Sequence, residues 1–382
     1  MDSPSSKGPA KVYLVGAGPG DPGLITVRGT QCLARADVVL YDYLVNPVVL
    51  QYAPAGAELI CLGHPHFGRS VAQEEINCRI IAEARAGKTV VRLKSGDPNL
   101  FGRGAEESEV LAAAGIPLEV VPGVTAALAA ASSTGIPITH RQCASAVALI
   151  TGHQRTGKSW AEFDYHRLAQ FPGTLVFYMA MTTAGQWSEA LIRGGRAPDT
   201  PVAVIRRATW PDQQTFRTTL DKVAAMIHQQ NLRPPAVIIV GEAVGLTPEA
   251  WWFTDRPLFG VRVLVPCPQA EMGRWWNALA ELGADVLFQT IDASPRGEGA
   301  VAATVDSQLA GRMAAGEVSW TVVPSVEAAD WLAAQFGPSL RRTQFASMGP
   351  MVSEALRRLG YAVAVEAVGG SIEAVVEAIL AN

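Results

Sequence analysis

The stretch "LVGAGPGDPG", Leu14–Gly23, closes the chain's first strand-like run and decides how that run is used. Gly16, Gly18 and Gly20 alternate, and Asp21-Pro22 follows at once. A strand running into such a turn resembles the start of a dinucleotide-binding unit, whose fingerprint needs G-x-G-x-x-G, a helix N-terminus aimed at the pyrophosphate, and an acid about 20 residues on for the ribose. Asp42, after "DVVLY", meets the last requirement. However, the third glycine falls one place early, and Asp21 stands where close helix packing calls for glycine. A carboxylate there also opposes a bound phosphate. The stretch therefore reads as a glycine turn for some other ligand, or as a purely structural tight turn.

Outward from this turn, short β-branched runs alternate with amphipathic ones. "VYLVGAG", "DVVLYD", "KTVVRLKSGDP" and "PLEVVPG" are separated by helical stretches at 25–36, 74–86 and 105–116, and an alanine-rich helix follows. That spacing implies parallel pairing with crossover helices. An N-terminal α/β domain is expected over residues 10–135. A second α/β domain, with room for mixed strand directions, is expected over 136–245 from "ASAVALITGH", "GTLVFYMA", "TPVAVIRRAT" and "PPAVIIVGEAV". Residues 246–259, rich in proline and aromatics without a period, read as a docked linker. A third α/β unit follows over 260–382, with "DASPRGEGAVAAT" as a surface loop inside it.

The bulk numbers bound the answer. A chain of 382 residues with 49% hydrophobic and 17% charged content suits two or three domains of roughly 100–150 residues. Its net charge of −4 offers no global attraction to nucleic acid or an anionic membrane. Five cysteines without a C-x-x-C pair argue against a disulfide framework or zinc site and for a reducing compartment. "MDSPSSKGPA" has no apolar core of a secretory signal, and Val120–Thr139, though long and uncharged, contains Pro122, Gly123, Gly135 and Pro137. A soluble, cytoplasmic protein is expected.

"VGAGPGDPGLITVRG", "VVLYDYLV", "RLKSGDPNLFGRGAEE", "VPGVTAALAAASSTGIPITHR", "LVFYMA" and "RRATWPDQQT" stand in the order and spacing of the tetrapyrrole methylases. From about Val12 to Gly245 the chain resembles that family, and within it the enzymes that methylate carbons of uroporphyrinogen III. The resemblance implies a two-domain methylase fold with S-adenosyl-L-methionine in the cleft between the domains. That cofactor carries no phosphate, so an Asp in the glycine turn is tolerable. Pro19, Ser95, Gly96, Asp97, Leu100, Thr125, Ala126, Met179 and Ala208 match the family's cofactor contacts. Asp97 would meet the ammonium or sulfonium end, and Ala208 is often glycine in the family.

The reaction implied transfers two methyl groups to uroporphyrinogen III, giving precorrin-2 on the route to siroheme and cobalamin, with S-adenosyl-L-homocysteine as the other product. Such a displacement depends on positioning, and the macrocycle must then lose a proton to a base. Asp42 matches the family's proton acceptor. The family's proton donor is a lysine, and His64 in "CLGHPHFG" takes its place here. Histidine titrates nearer neutrality, with shorter reach. A substrate with eight carboxylates calls for a basic rim, for which Arg28, Arg92, Lys94, Arg103, His140, Arg141, Arg206 and Arg207 are candidates. Ordinary alternatives remain open: a turn role for Asp42 and Asp97, core packing for Met179, an exposed loop for His64. No metal ligand set is expected. The family also implies a homodimer. "VSWTVVPSVEAADWLA" and "FASMGPMVSEALRRLGYAVAV" are similar to uroporphyrinogen-III synthase at about half its length, so the third unit is expected to be a partial or degenerate, flavodoxin-like version. A methylase of a later corrinoid intermediate and a non-catalytic tetrapyrrole-binding protein are the alternative functions.

Overall fold

The structure is a computed structural model that describes residues 11–63, 71–152, 164–246, 251–268, 271–291 and 307–382. The chain divides into two compact units, Met1–Trp251 and Trp252–Asn382. In the first unit, strands β1 (Val12–Gly16), β2 (Val38–Asp42), β3 (Glu58–Leu62), β4 (Val90–Lys94) and β5 (Leu118–Val121) form one sheet. Its order is β3-β2-β4-β1-β5, with every pair parallel.

Side chains alternate across a strand, and the two faces of this sheet bury different helices. Val12, Leu14, Val38, Leu40 and Val90 pack with Ile76 and Ile80 of α2 (Gln73–Arg85) and Leu111 of α3 (Gly104–Ala113). Tyr13, Val15, Val39, Val91 and Leu93 pack with Cys32 and Leu33 of α1 (Val27–Leu33). A sheet covered on both faces reads as continuous apolar runs, which is why β1 and β2 are plain in the sequence, whereas β4 interrupts its run with Arg92 and Lys94. The edge strand β3, "ELICL", is largely exposed and carries Glu58 and Cys61, so its pattern carries no such signal.

A second sheet orders as β6-β7-β10-β8-β9, from β6 (Val147–Thr151), β7 (Thr174–Tyr178), β8 (Pro201–Arg206), β9 (Gln214–Thr219) and β10 (Ala236–Val240). Only β6 and β7 are parallel; the other three pairs are antiparallel, so directions are indeed mixed. The polar edge strand β9, "QTFRTT", escapes the sequence reading as β3 does. One face packs α5 (Tyr165–Ala169), α6 (Ala184–Arg193) and α7 (Val223–Gln229). There Trp187 stacks on Phe177 at 4.5 Å and donates its indole N–H to the Ala180 carbonyl. Helix α4 (Ala126–Thr134), which the sequence groups with the first domain, lays Ala127 and Ala130 on the other face of this second sheet. Trp251 donates its indole N–H to the Ser132 carbonyl at the end of that helix.

The second unit is a separate, all-parallel sheet of order β12-β11-β13-β14-β15. Its strands are β11 (Arg262–Cys267), β12 (Asp285–Thr290), β13 (Trp320–Val323), β14 (Gln344–Ser347) and β15 (Val363–Glu366). Helices α8 (Met272–Ala280), α9 (Ser307–Ala315), α10 (Val326–Phe336), α11 (Pro350–Arg358) and α12 (Ile372–Leu380) accompany it. This strand order is that of flavodoxin-like units. Trp252–Phe259, expected as linker, belongs to this unit, where the Arg256 guanidinium sits 4.0 Å from the Phe253 ring centre. The loop expected at 292–304 lies outside the described residues.

Near the start of β1 and β5, Lys11 and Arg28 both bind the Glu119 carboxylate, at 2.5 and 2.6 Å. The hydrogen bond from Lys11, then that from Arg28, holds the Glu119 carboxyl below its ordinary value of 4.5. Stability from this group is complete above the unfolded pKa and is lost as pH falls through the lower folded one. Glu119→Gln should lower the melting midpoint at pH 7 by about 2 °C. It should also flatten the midpoint's decline below pH 4.5. Differential scanning calorimetry across that range checks this, and equal slopes for the two proteins contradict it.

Candidate functional site

Three backbones converge at the carboxyl edge of the first sheet. A Cβ on Gly16 would lie 2.6 Å from the Gly123 backbone and from the Gly96 carbonyl, and one on Gly123 would lie 2.2 Å from that carbonyl. Only glycine admits such an approach. Gly18, at φ 80°, exchanges backbone hydrogen bonds with Gly96, at 3.3 and 2.7 Å. Above Gly96 itself no described residue lies within 4 Å of the place a Cβ would take, so among the described residues the convergence is open on one side.

The two aspartates in these loops serve the backbone. Asp21 accepts from the Gly23 N–H, capping the short 3-10 turn Pro22–Leu24, and sets in this loop a negative charge that would oppose a bound phosphate. Asp97 accepts from the N–H groups of Asn99, Leu100 and Gly123, at 2.8, 3.1 and 3.1 Å. Its carboxylate thereby braces the loop through three of its roughly four acceptor positions. Ser95 and Leu100 flank it, both part-buried, and Pro19 is likewise part-buried in the first loop.

The second sheet meets this edge through a few polar contacts. The Tyr178 hydroxyl, 2.7 Å from Thr125 Oγ1, also accepts from the Ala127 N–H and so caps α4 in place of its own first residues. Ala126 lies between these contacts, and the Phe101 ring sits 5.1 Å from that of Tyr178. Met179, next along, is half exposed and left-handed at φ 50°. After β8, the Asp21 N–H donates to Thr209 Oγ1, and the Trp210 indole fills the space a Gly20 side chain would need. Ala208 is buried in that same turn. Pro19, Ser95–Leu100, Thr125, Ala126, Met179 and Ala208 are therefore gathered where the two sheets adjoin.

Charge enters by strand alternation. Asp42 continues the Val38–Leu40 face of β2, and Arg92 and Lys94 continue the Val90 face of β4. Arg92 Nη2 lies 2.5 Å from Asp42 Oδ1, and Arg92 Nε lies 3.2 Å from Glu107 Oε1. Lys94 Nζ donates to both Glu107 oxygens at 2.9 Å. Lys94 is 3% exposed and Glu107 fully buried, so Lys94 does not join a rim for substrate carboxylates. Burial, then the Arg92 charge, pushes the Lys94 ammonium below its ordinary pKa against the pull of Glu107.

Arg28 also departs from expectation, since its partners Glu119 and Tyr13 lie away from the carboxyl edge. Arg103 is exposed at φ 60° and bound to Glu106. Arg141 is exposed on a tight His140–Ala144 turn, where the His140 ring accepts from the Gln142 N–H. Arg206 donates to the Arg233 carbonyl, and Arg207 is bound to Asp212 and stacked over Trp210. His64 lies outside the described residues. Glu107, Tyr178, Thr209 and Trp210 were not singled out by sequence. The available signal for Glu107 was its place on the inward stripe of α3 with Gly104 and Leu111.

The family model for tetrapyrrole (corrin/porphyrin) methylases matches residues 11–224, more than half of the chain. The chain belongs to this family. Among curated methylase relatives, a siroheme synthase of Zymomonas mobilis is 49% identical over 247 residues, 64% of this chain and 51% of its own. An S-adenosyl-L-methionine-dependent uroporphyrinogen III methyltransferase of Methanosarcina barkeri is 45% identical over 62% of this chain and 92% of its own. A porphyrin biosynthesis protein of Ruminiclostridium josui is 41% identical over 285 residues, 74% of this chain and 56% of its own. The chain thus spans about half the length of the first curated relatives it matches. Among solved methylases, the uroporphyrin-III C-methyltransferase of Thermus thermophilus, complexed with S-adenosylhomocysteine, has a TM-score of 0.54 at 41% identity. That match covers 62% of this chain and 99% of the other. No helix among the described residues is long and apolar enough to cross a membrane.

The glycine convergence sets a stability prediction. Gly123→Ala forces a Cβ against backbone that cannot swing aside and should destabilise by about 3 kcal/mol. Gly185→Ala, inside α6 with its nearest neighbour 3.9 Å away, should be neutral or stabilising. Urea titration of both variants checks the contrast, and equal effects contradict it.

Proposed function

We propose that the chain is an S-adenosyl-L-methionine-dependent uroporphyrinogen-III C-methyltransferase that places two methyl groups on the macrocycle and yields precorrin-2. The observation that carries this reading is the meeting, at one sheet edge, of an open glycine cradle with a carboxylate held by a buried arginine. The cradle suits a phosphate-free cofactor, because the Asp21 carboxylate in this loop would oppose a bound phosphate. Pro19, Ser95, Gly96, Leu100, Thr125, Ala126, Met179 and Ala208 would hold it, largely through main chain. When bound, that cofactor supplies an electrophilic methyl group.

Asp42 is the base in this reading. Arg92 occupies Oδ1, and Oδ2 carries no hydrogen bond from a described residue, leaving it to take the proton that the methylated macrocycle must lose. Arg103, Arg141 and Arg206, with His140, form the rim that receives substrate carboxylates. His64 takes the position of the family's donor lysine. The same resemblance supports a cytoplasmic homodimer. The second unit is read as a partial, degenerate relative of uroporphyrinogen-III synthase. Support comes from its flavodoxin-like order and from the match to the Ruminiclostridium josui protein, which is longer than the first unit's span and so reaches into the second.

A later corrinoid intermediate is the alternative substrate, favoured by the likeness to a cobalt-precorrin-4 methyltransferase of TM-score 0.57 at 32% identity over 63% of this chain. Incubation with uroporphyrinogen III and methyl-labelled cofactor should give a doubly methylated product by mass; none would sink the favoured reading. Asp42→Asn should reduce turnover by about 10²–10⁴-fold. Its affinity for S-adenosylhomocysteine, read by calorimetry, should be unchanged. Wild-type turnover in that variant removes Asp42 as the base.

A further inference from the structure

We infer that Glu107 is a positioning residue, acting through Arg92 to hold Asp42 in its working geometry. The inference rests on the reading of Asp42 as the base.

Four ionic groups lie on one face of the first sheet: Asp42 from β2, Arg92 and Lys94 from β4, and Glu107 from α3. Arg92 and Lys94 are each 3% exposed and Glu107 is 0% exposed. Their charges cancel, yet burying them still costs several kcal/mol per ion before pairing, and an apolar set of the same volume is often as stable or more so. Stability is therefore a weak reason for this quartet. Geometry gives a better one.

Glu107 receives four hydrogen bonds: two from Lys94, one from Arg92 Nε and one from Gln73 of α2. That fixes the carboxylate on two sides. Arg92 in turn spends Nε on Glu107 and Nη1 on the Leu93 carbonyl, at 3.2 Å each. A planar guanidinium held at two corners has its third corner aimed, and that corner is Nη2, facing Asp42 Oδ1. Asp42 is the exposed end of the chain of contacts, its side chain 30% accessible while the groups behind it are buried. Lys94 completes the balance: without it, Glu107 would divide its charge between Arg92 and an uncompensated burial.

A purely structural ion cluster would not require that its one open member be the carboxylate at the carboxyl edge beside the glycine cradle. The arrangement matches what a general base needs, an acceptor oxygen held to within a fraction of an ångström by neighbours that cannot relax.

A mutant cycle on the full chain tests this. Glu107→Gln should lower kcat for methylation of uroporphyrinogen III by about 10- to 100-fold, with S-adenosylhomocysteine affinity unchanged. In an Asp42→Asn background the same change should cost little more, because Glu107 acts only through that carboxylate. Losses that multiply, or a Glu107→Gln enzyme as fast as wild type, overturn the proposal. Removing one buried anion risks misfolding, so the charge-balanced pair Lys94→Met with Glu107→Gln is the second arm. It should fold and stay slow; wild-type speed there also overturns the proposal. Crystal structures of the variants give a readout independent of turnover. Arg92 should leave Asp42, and an Arg92 still seated on Asp42 refutes the positioning role. If the wild-type chain makes no methylated product while Arg92 moves in the variants, the methyltransferase reading fails, and what stands is that Glu107 seats Arg92 on Asp42, without a role in that reaction.

Discussion

The contact on which the first unit depends is backbone against backbone, where Gly16, Gly96 and Gly123 approach more closely than any Cβ permits. It sets how tightly the loops after β1, β4 and β5 stack at the carboxyl edge. Asp97 locks the arrangement by accepting from Gly123 while bracing its own loop. With side chains excluded, the surface left over is mostly main chain, which recognises a ligand by shape and peptide polarity. The second sheet is joined to this edge by a contact that needs the same absence of side chains: the Trp210 indole lies where a Gly20 Cβ would be.

Backbone strain collects at the same place. Among the described residues, Phe101, Arg103, Met179, Arg207, Thr209 and Asn231 are the non-glycine residues with left-handed backbone. All but Asn231 lie in the loops after β4, β7 and β8 that surround the candidate site. Such conformations cost about 1–3 kcal/mol each and persist where the surroundings over-determine them. Here the surroundings are visible: the Thr209 N–H is held by Gln213, whose amide also reaches the Ser133 carbonyl, and Phe101 leans on Tyr178.

Much of this was legible in the sequence, for physical reasons. Buried parallel strands such as β1, β11 and β13 show as short, mainly apolar runs, and the glycine turn with Asp21 already argued against a phosphate ligand. Edge strands β3 and β9 were not legible, because only a few of their side chains, such as Ile60 and Leu62 in β3 and Phe216 in β9, meet a core and the rest are exposed or polar. The allegiance of α4 was hidden as well, since an alanine-rich helix can lie on either sheet, and partners distant in sequence, Tyr178 and Gln213 among them, hold it to the second. Lys94 misled in an instructive way. A lysine beside a glycine loop looks like a surface charge, but strand alternation turns it inward, and what receives it there is a glutamate 13 residues away in an adjoining helix. Pairs of this kind are readable only when a charged residue on a helix's buried stripe is set against one on a strand's buried face.

The second unit has its own five-stranded sheet and its own core, with Leu264, Leu332, Phe336, Phe345 and Leu356 packed together. A chain with two such cores need not melt as one cooperative body. A single transition temperature for the whole protein would then average two different events. Substitutions that loosen Phe345 would report on one of them and be silent on the other, so energetic comparisons between variants have meaning only core by core.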